Sequence, residues 1–282
     1  MKTRRQPALK SNKFIKLLSA PYIIWAIAFI IIPLIMVFYY GLTDKTGAFT
    51  IANVTSIAKP EHFKSLYLAL LLALISTVIC MLLAYPLALI LSGMKTKNDH
   101  LIVFIFILPM WMNFLLRTMA WQTLLENDGV INNVLSFLHL PTLHIINTPA
   151  AIVFGMIYNF LPFMILPLYN VISKIDVNVL NAARDLGANP AQTLFRVILP
   201  LSVPGIISGI TMVFVPSLTT FVVSEMLGGS KILLIGNVIE QEFTQNSNWN
   251  LGSGLSIVLM IFIIISMVIT TVYDKEGEGN AL

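Results

Sequence analysis

Aromatic and carboxylate side chains lie at the ends of several apolar segments of this chain, and these groups are suited to binding a cation. Aromatic faces attract desolvated cations, and carboxylates supply the opposite charge. Trp111, Phe114, Thr118 and Trp121 have the spacing of one helical stripe. The candidates for a cation pathway are Trp111, Trp121, Glu126, Asp128, Tyr158, Asn159 and Glu225.

Each of these candidates also has a simpler explanation. The two tryptophans could serve packing, or in the case of Trp121 anchoring at a membrane interface. Glu225 is the favoured carboxylate, although it could simply be solvated. Arg117 lies within the stripe, where a cation is unfavourable unless it is paired. It could extend to the interface or neutralise Glu126 or Asp128, and both alternatives stay open.

The sequence contains no recognisable catalytic or metal-binding motif. The patterns G-x-x-x-x-G-K-[ST], H-E-x-x-H and G-x-S-x-G are all absent. Its histidines are predicted in loops, without a metal-ligand arrangement: His62, His100, His139 and His144. The single cysteine, Cys80, excludes an intrachain disulfide and is expected to be a small buried residue. We therefore predict a non-catalytic chain that binds no cofactor or metal.

The composition indicates an integral membrane protein. Of the 282 residues, 57% are hydrophobic and 11% are charged, whereas soluble domains carry about 25% charge. Spanning a bilayer takes about 20 apolar residues. Six segments qualify, so we predict an all-α protein with six transmembrane helices, at 20–41, 65–92, 101–122, 149–171, 201–224 and 253–273.

The distribution of lysine and arginine predicts the orientation of the chain. With the N-terminus inside, the inner segments hold twelve of these residues and the outer loops four. The prediction is a cytoplasmic segment 1–19, a transmembrane domain 20–273 and a cytoplasmic tail 274–282. The first span is too long for a cleaved signal peptide. The net charge of +4 does not indicate that nucleic acid is a partner. The expected partner is the lipid membrane.

The inner segment 174–200 reads as two short helices joined by a turn. Asp176 is placed to cap a helix from Val177 to about Leu186. Gly187 can end that helix in a left-handed conformation, and Asn189-Pro190 can begin another. An apolar face is formed by Val179, Ala182, Ala183 and Leu186. That face could dock a soluble partner or lie on lipid.

Residues 181–201 resemble the cytoplasmic "EAA" loop of ABC-importer permeases. That motif reads Glu-Ala-Ala, three residues, Gly, nine residues, Ile, one residue and Leu-Pro. Residues in register are Ala182, Ala183, Gly187, Leu199 and Pro200. Val197 replaces the Ile, and Asn181 replaces the Glu, which removes a charge. Segments 108–121, 159–169 and 228–239 resemble the spermidine/putrescine (PotB-type) permease family.

The resemblance implies a type I ABC-importer permease with the MetI-like fold and a cytoplasmic coupling helix, in a bacterial cell membrane. Its implied partners are a second homologous permease, two ABC ATPase subunits and an extracytoplasmic polyamine-binding protein. ATP and magnesium would bind the ATPase. Coupling to it would involve Asn181, Ala182, Ala183, Arg184, Asp185, Gly187, Leu199 and Pro200.

Other functions remain open at this stage. The same class of permease carries other solutes, such as ferric iron or sulfate, and the coupling loop does not distinguish them. An ion-driven secondary transporter is disfavoured by the few intramembrane charges and the lack of a repeat. An intramembrane enzyme is disfavoured by the missing catalytic residues.

Overall fold

The computed structural model describes residues 21–93, 108–229 and 231–279, with backbone only from 271 onward. The described residues are helical apart from loops and one isolated bridge between Thr43 and Phe49. The principal helices are α1 (Pro21–Gly41), α2 (Pro60–Gly93), α3 (Phe114–Leu125), α4 (Val130–Phe137), α5 (Pro149–Ile172), α6 (Val177–Asp185), α7 (Pro190–Leu201), α8 (Val203–Thr219), α9 (Val222–Gly228), α10 (Ile235–Thr244) and α11 (Trp249–Gly279).

Four of the described helices are long and apolar enough to cross a membrane, namely α1, α2, α5 and α11. A fifth candidate is the pair α7 and α8, which meet at a bend of 65°. The all-α prediction is therefore correct for the described residues. Two spans begin earlier than predicted, because α2 starts at Pro60 and α11 at Trp249. His62, predicted in a loop, lies in α2 and is buried, with Nδ1 2.8 Å from the Ser56 carbonyl oxygen.

Two predicted spans are not continuous helices. The third, 101–122, extends beyond the described residues; its described part is a 3-10 turn at Leu108–Trp111 followed by α3. Asn113 separates the two because its side chain caps α3. The fifth, 201–224, ends at Thr219, where Thr220 is extended, and α9 begins at Val222. Hydropathy alone misses such breaks, because the interrupting residues are too few to lower the average.

The core is formed by α2, α5 and α8, which pack against one another. A stripe of small residues on α2 is fully buried, consisting of Ala69, Ala73, Ser76, Cys80, Ala84 and Ala88. Small side chains let helices approach closely in a membrane, where dispersion contacts drive association. Cys80 is a small buried residue, as predicted, with Sγ 3.9 Å from the Ile157 carbonyl oxygen.

Close packing also requires glycine on α8. A Cβ added at Gly205 would lie 3.0 Å from the carbonyl oxygen of Pro167 and 3.1 Å from Val171. At Gly209 it would lie 2.5 Å from Sδ of Met164. Both contacts are on α5, so α8 packs closely against α5 through this Gly-x-x-x-Gly pair.

The C-terminal end of α1 is held by two asparagines. Asn250 of α11 donates from Nδ2 to the carbonyl oxygens of Tyr40 (3.1 Å) and Thr43 (2.7 Å). Asn53 donates to those of Gly41 (3.3 Å) and Thr43 (2.9 Å). The carbonyls left unpaired at a helix end thus receive side-chain donors. In contrast, no residue in the most apolar stretch of α1 is buried.

Candidate coupling loop and substrate pathway

The first helix of the coupling loop begins where the sequence predicts. The Asp176 side chain accepts a hydrogen bond from the Asn178 amide at 2.9 Å, which satisfies one of the unpaired amides of the first turn. Helix α6 then runs from Val177 to Asp185, with Leu186 as its C-cap.

The turn after α6 depends on Gly187, whose φ is +80°. Its amide donates to the Arg184 carbonyl at 2.8 Å, and the Ala188 amide donates to the Ala183 carbonyl at 3.0 Å. These bonds satisfy carbonyls at the end of the helix in the manner of a left-handed C-cap. The predicted helix end is therefore confirmed.

The second helix begins with a capping box. The Asn189 side chain accepts from the Gln192 amide at 2.8 Å, and the Gln192 side chain accepts from the Asn189 amide at 2.9 Å. Leu199 and Pro200 lie in the last turn of this helix, α7. The chain then bends at Ser202, where the Ser202 hydroxyl lies 3.0 Å from the Tyr85 hydroxyl of α2. This contact joins the loop to the membrane core, and the sequence analysis missed it.

Helix α6 leaves most of its apolar residues uncovered by the part of the chain that the structure describes. It has no buried residue, and the exposed fractions of Val179 and Leu186 are 44% and 89%. Ala182 is exposed and Ala183 is half-buried. Asn181, Arg184 and Asp185 are exposed as well. The arrangement presents an apolar ridge flanked by polar groups, which is suited to insertion into a groove on another protein.

A cavity of about 360 Å³ separates α6 from the ends of α2 and α5. Asn181 and Arg184 line it together with Ser92 and Ser173. Asn181, which stands in the place of the family glutamate, therefore lies on the side of α6 that faces the ends of α2 and α5. Leu186 is not among the lining residues.

The structure brings some pathway candidates together. The Trp121 ring lies edge-on to those of Phe154 (4.7 Å between centroids) and Tyr158 (5.0 Å). Asn159 is buried, and its Nδ2 donates to the Gly155 carbonyl at 2.9 Å and lies 3.5 Å from the Thr118 hydroxyl. Helices α3 and α5 thus join through an aromatic cluster, which we define as Trp121, Phe154 and Tyr158.

Trp111 does not belong to the predicted helical stripe. It lies in the 3-10 turn before α3, and 74% of its side chain is exposed. The prediction of one stripe through Trp111, Phe114, Thr118 and Trp121 is wrong, because α3 begins at Phe114. An asparagine just before an apolar helical run is a start signal, and Asn113 could have indicated the break.

The three candidate carboxylates are exposed and lie on loops or short helices. Glu126 and Asp128 follow the end of α3, and their backbone carbonyls accept from Asn132 and Asn133. Glu225 lies in the first turn of α9. That turn is held by Asn237, whose Nδ2 donates to the Phe221 carbonyl at 3.0 Å and whose Oδ1 accepts from Ser224 at 2.5 Å. Asn237 therefore holds the backbone turn that carries Glu225, a contact that the sequence analysis missed.

Arg117 follows neither of the two alternatives considered from the sequence. It is 6% exposed, and its Nη1 donates to the Pro109 carbonyl oxygen at 2.6 Å. It does not pair with Glu126, Asp128 or any other carboxylate of the described residues. Its guanidinium lies 6.0 Å from the Phe114 ring centroid and 5.7 Å from that of Tyr158.

Residues 81–275 match the family model for the inner membrane component of binding-protein-dependent transport systems. This match covers more than half of the chain. The chain belongs to this family. As a permease component of a transport system, it has the MetI-like fold of type I ABC-importer permeases, and it is a multi-pass membrane protein.

Curated relatives and solved structures agree with this assignment. The chain is 40% identical over 264 residues to the spermidine/putrescine transport system permease protein PotB of Haemophilus influenzae, covering 90% of this chain and 92% of the relative. Identity to PotB of Escherichia coli K12 is 37% over 253 residues, covering 87% and 92%. A bacterial ABC transporter that imports alginate contains a chain of the same fold, with a TM-score of 0.78, 19% identity and coverage of 95% and 96%.

Proposed function

We propose that this permease carries polyamines across the cell membrane in an ATP-driven importer. The observation that supports this substrate is the 36–40% identity to spermidine/putrescine permeases over about nine-tenths of the chain. The permease family is shared by importers of other solutes, so the substrate rests on these relatives. The aromatic cluster and the exposed carboxylates are chemically compatible with a flexible chain of ammonium groups.

The proposed assembly contains two permeases, two ATPases and a binding protein. The exposed apolar ridge of α6 supports docking to an ATPase, since no segment of the described structure covers it. ATP and magnesium would bind that ATPase, because this sequence has no phosphate-binding loop. The binding protein would deliver substrate to the outer face, where Glu126, Asp128 and Glu225 would receive its ammonium groups.

In the proposed pathway, each residue acts on charge or on solvation. The carboxylates raise the local concentration of cations through long-range attraction. Trp111, Trp121 and Tyr158 offer aromatic faces to ammonium groups that have lost water, and Asn159 offers an amide oxygen. Asn181 in place of a glutamate keeps hydrogen-bonding capacity but weakens the electrostatic part of docking.

Uptake of radiolabelled spermidine by cells lacking this chain tests the proposal, with and without its return on a plasmid. The host should contain no other polyamine importer. Lost and restored uptake is the expected result. Unchanged uptake would mean that the substrate is not a polyamine but another small solute, such as ferric iron or sulfate. Uptake abolished by an uncoupler with ATP maintained would favour an ion-driven transporter.

A further inference from the structure

Arg117 is a buried cation located where the third apolar segment changes from a 3-10 turn to an α-helix. Only 6% of its side chain is exposed. Within the described residues its charge is met by one carbonyl oxygen, that of Pro109, and by the faces of Phe114 and Tyr158. Its Nε has no hydrogen-bond partner in that part of the chain.

Burying a charge without a counter-ion is unfavourable. An apolar side chain of similar length would fill the same space without that penalty, so packing alone does not explain an arginine here. The guanidinium differs from an apolar group in one respect that the structure shows directly. It donates a charge-assisted hydrogen bond to the carbonyl of a residue eight positions earlier.

That hydrogen bond acts on the 3-10 turn. The Pro109 carbonyl also accepts from the Met112 amide at 3.3 Å, which closes the turn that contains Trp111. Arg117 therefore links the turn to the first full turn of α3. Other hydrogen bonds across this break are that turn closure and the amide bonds to Asn113.

Side chains on both sides of the break between the 3-10 turn and α3 stabilise it. Asn113 accepts the Leu115 and Leu116 amides at 2.9 Å and 3.2 Å, while Arg117 donates to a carbonyl on the turn. Non-helical backbone at membrane depth requires such partners, and it persists where protein or a water-filled cavity covers it. Trp111 lies between these two contacts with 74% of its side chain exposed.

We propose that Arg117 is a positioning residue for the substrate pathway: its bond to the Pro109 carbonyl holds the turn at Leu108–Trp111 so that Trp111 faces the translocating cation. This inference rests on the proposed function. It also accounts for a cation beside a cation pathway. The guanidinium is engaged by a carbonyl and two rings, so its charge is directed into the protein and Trp111 is directed out of it.

A double-mutant cycle in the complete transporter tests this role, with spermidine uptake measured as KM and Vmax. Arg117→Met and Trp111→Ala should each raise KM by about tenfold, the loss of one charge-assisted or cation–π interaction. The KM of the double variant should not exceed that of Trp111→Ala, because both substitutions remove the same interaction with the cation. Additive effects, or an unchanged KM in either single variant, would overturn the proposal.

A conservative variant and a matched control accompany the cycle. Arg117→Lys keeps the charge and one donor, so its KM should lie nearer to that of the wild type than the KM of Arg117→Met. Equal defects in the two variants would count against the hydrogen bond to Pro109. Lys45→Met removes an exposed outer-loop cation and should leave KM unchanged. If Arg117→Met does not reach the membrane, the cycle is built with Arg117→Gln, whose neutral amide cannot make a charge-assisted hydrogen bond.

A spin label tests the geometry independently of substrate. Cys80 is the only cysteine, so Cys80→Ala permits a single nitroxide at Met112→Cys in a transporter whose other subunits lack cysteine. Arg117→Met should increase the mobility of this label but not that of a label at Met119→Cys within α3. Unchanged mobility at 112 overturns the inference. If the wild type imports no spermidine, the proposed function fails and this measurement alone decides the role of Arg117.

Discussion

Gly187 shows how one residue can set the geometry of the coupling loop. Its φ of +80° is unfavourable for residues with a Cβ. A Cβ added there would meet no atom within 4 Å, so space does not restrict the position. The requirement for glycine is conformational, and any effect of a substitution should arise from the backbone.

Gly187→Val is therefore expected to impair coupling while membrane insertion is retained. A left-handed conformation costs a β-branched residue about 1–2 kcal/mol, enough to displace α6 relative to α7. Uptake per transporter and ATPase copurification measure the effect. Gly187→Asn is the matched control, because asparagine tolerates this conformation. Full uptake in the valine variant would contradict the proposed geometry of the loop.

Glu225 is the carboxylate whose removal should lower uptake most. It is exposed at the start of α9, and the buried contacts of Ser224 and Asn237 hold that helix independently of its side chain. Glu225→Gln should reduce spermidine uptake several-fold through lost attraction for the cation, without loss of ATPase binding. Glu61→Gln, at another exposed outer carboxylate, is the control. Equal uptake in both variants would remove Glu225 from the pathway.

At the scale of elements, the bent pair α7 and α8 joins the segment 174–200 to the core formed by α2, α5 and α8. Helix α7 belongs to the loop, and α8 packs against α2 and α5. The Tyr85–Ser202 contact lies at the bend. Because α8 approaches α5 through glycines, we expect a movement of the loop to be transmitted to this tightly packed helix rather than absorbed by flexible side chains.

Gly205→Val should lower the thermal unfolding temperature of the purified permease. The added side chain would meet the Pro167 carbonyl oxygen and the β-branched Val171, neither of which can rotate away. Overpacking of this kind costs about 1–3 kcal/mol. Gly93→Val is the comparison, since a Cβ there meets no atom within 4 Å. Similar unfolding temperatures for the two variants would show that α8 and α5 are less closely packed than described.

At the scale of the whole molecule, orientation decides which partners each face can meet. The lysine and arginine distribution predicts a cytoplasmic N-terminus and coupling loop. An inverted chain would place α6 outside, where no ATPase could reach it. The structure contains no membrane, so the orientation stays a prediction from the charges.

Labelling of single cysteines in intact cells tests the orientation. Starting from Cys80→Ala, a membrane-impermeant maleimide should label Lys45→Cys in the outer loop but not Asn178→Cys in α6. Both positions are exposed, so a difference reports sidedness rather than burial. After the cells are opened, both positions should react. The reverse pattern would invert the topology and remove the basis for ATPase docking.

The coupling loop was the part of the chain best predicted from sequence. The Asp176 cap, the Gly187 turn and the Asn189 cap depend on residues within a few positions of one another. Such interactions are local, so residue types are sufficient to locate them. The family was likewise indicated by the spacing of the motif in residues 181–201, which can be read from the sequence without a structure.

Only the tertiary structure showed where the third and fifth predicted spans break. It also showed that Arg117 is buried and that Asn237 holds the first turn of α9. An apolar run does not reveal where its helix stops, because hydropathy averages over the few residues that interrupt it. Nor does the spacing of residues in the sequence show which charged side chain is buried in the protein. The Arg117 side chain is buried because Pro109, Phe114 and Tyr158 converge on it, and Tyr158 reaches that point only when α5 packs beside α3. Local chemistry determined the geometry of the loop, a resemblance in motif spacing indicated the family, and long-range packing determined which side chains meet.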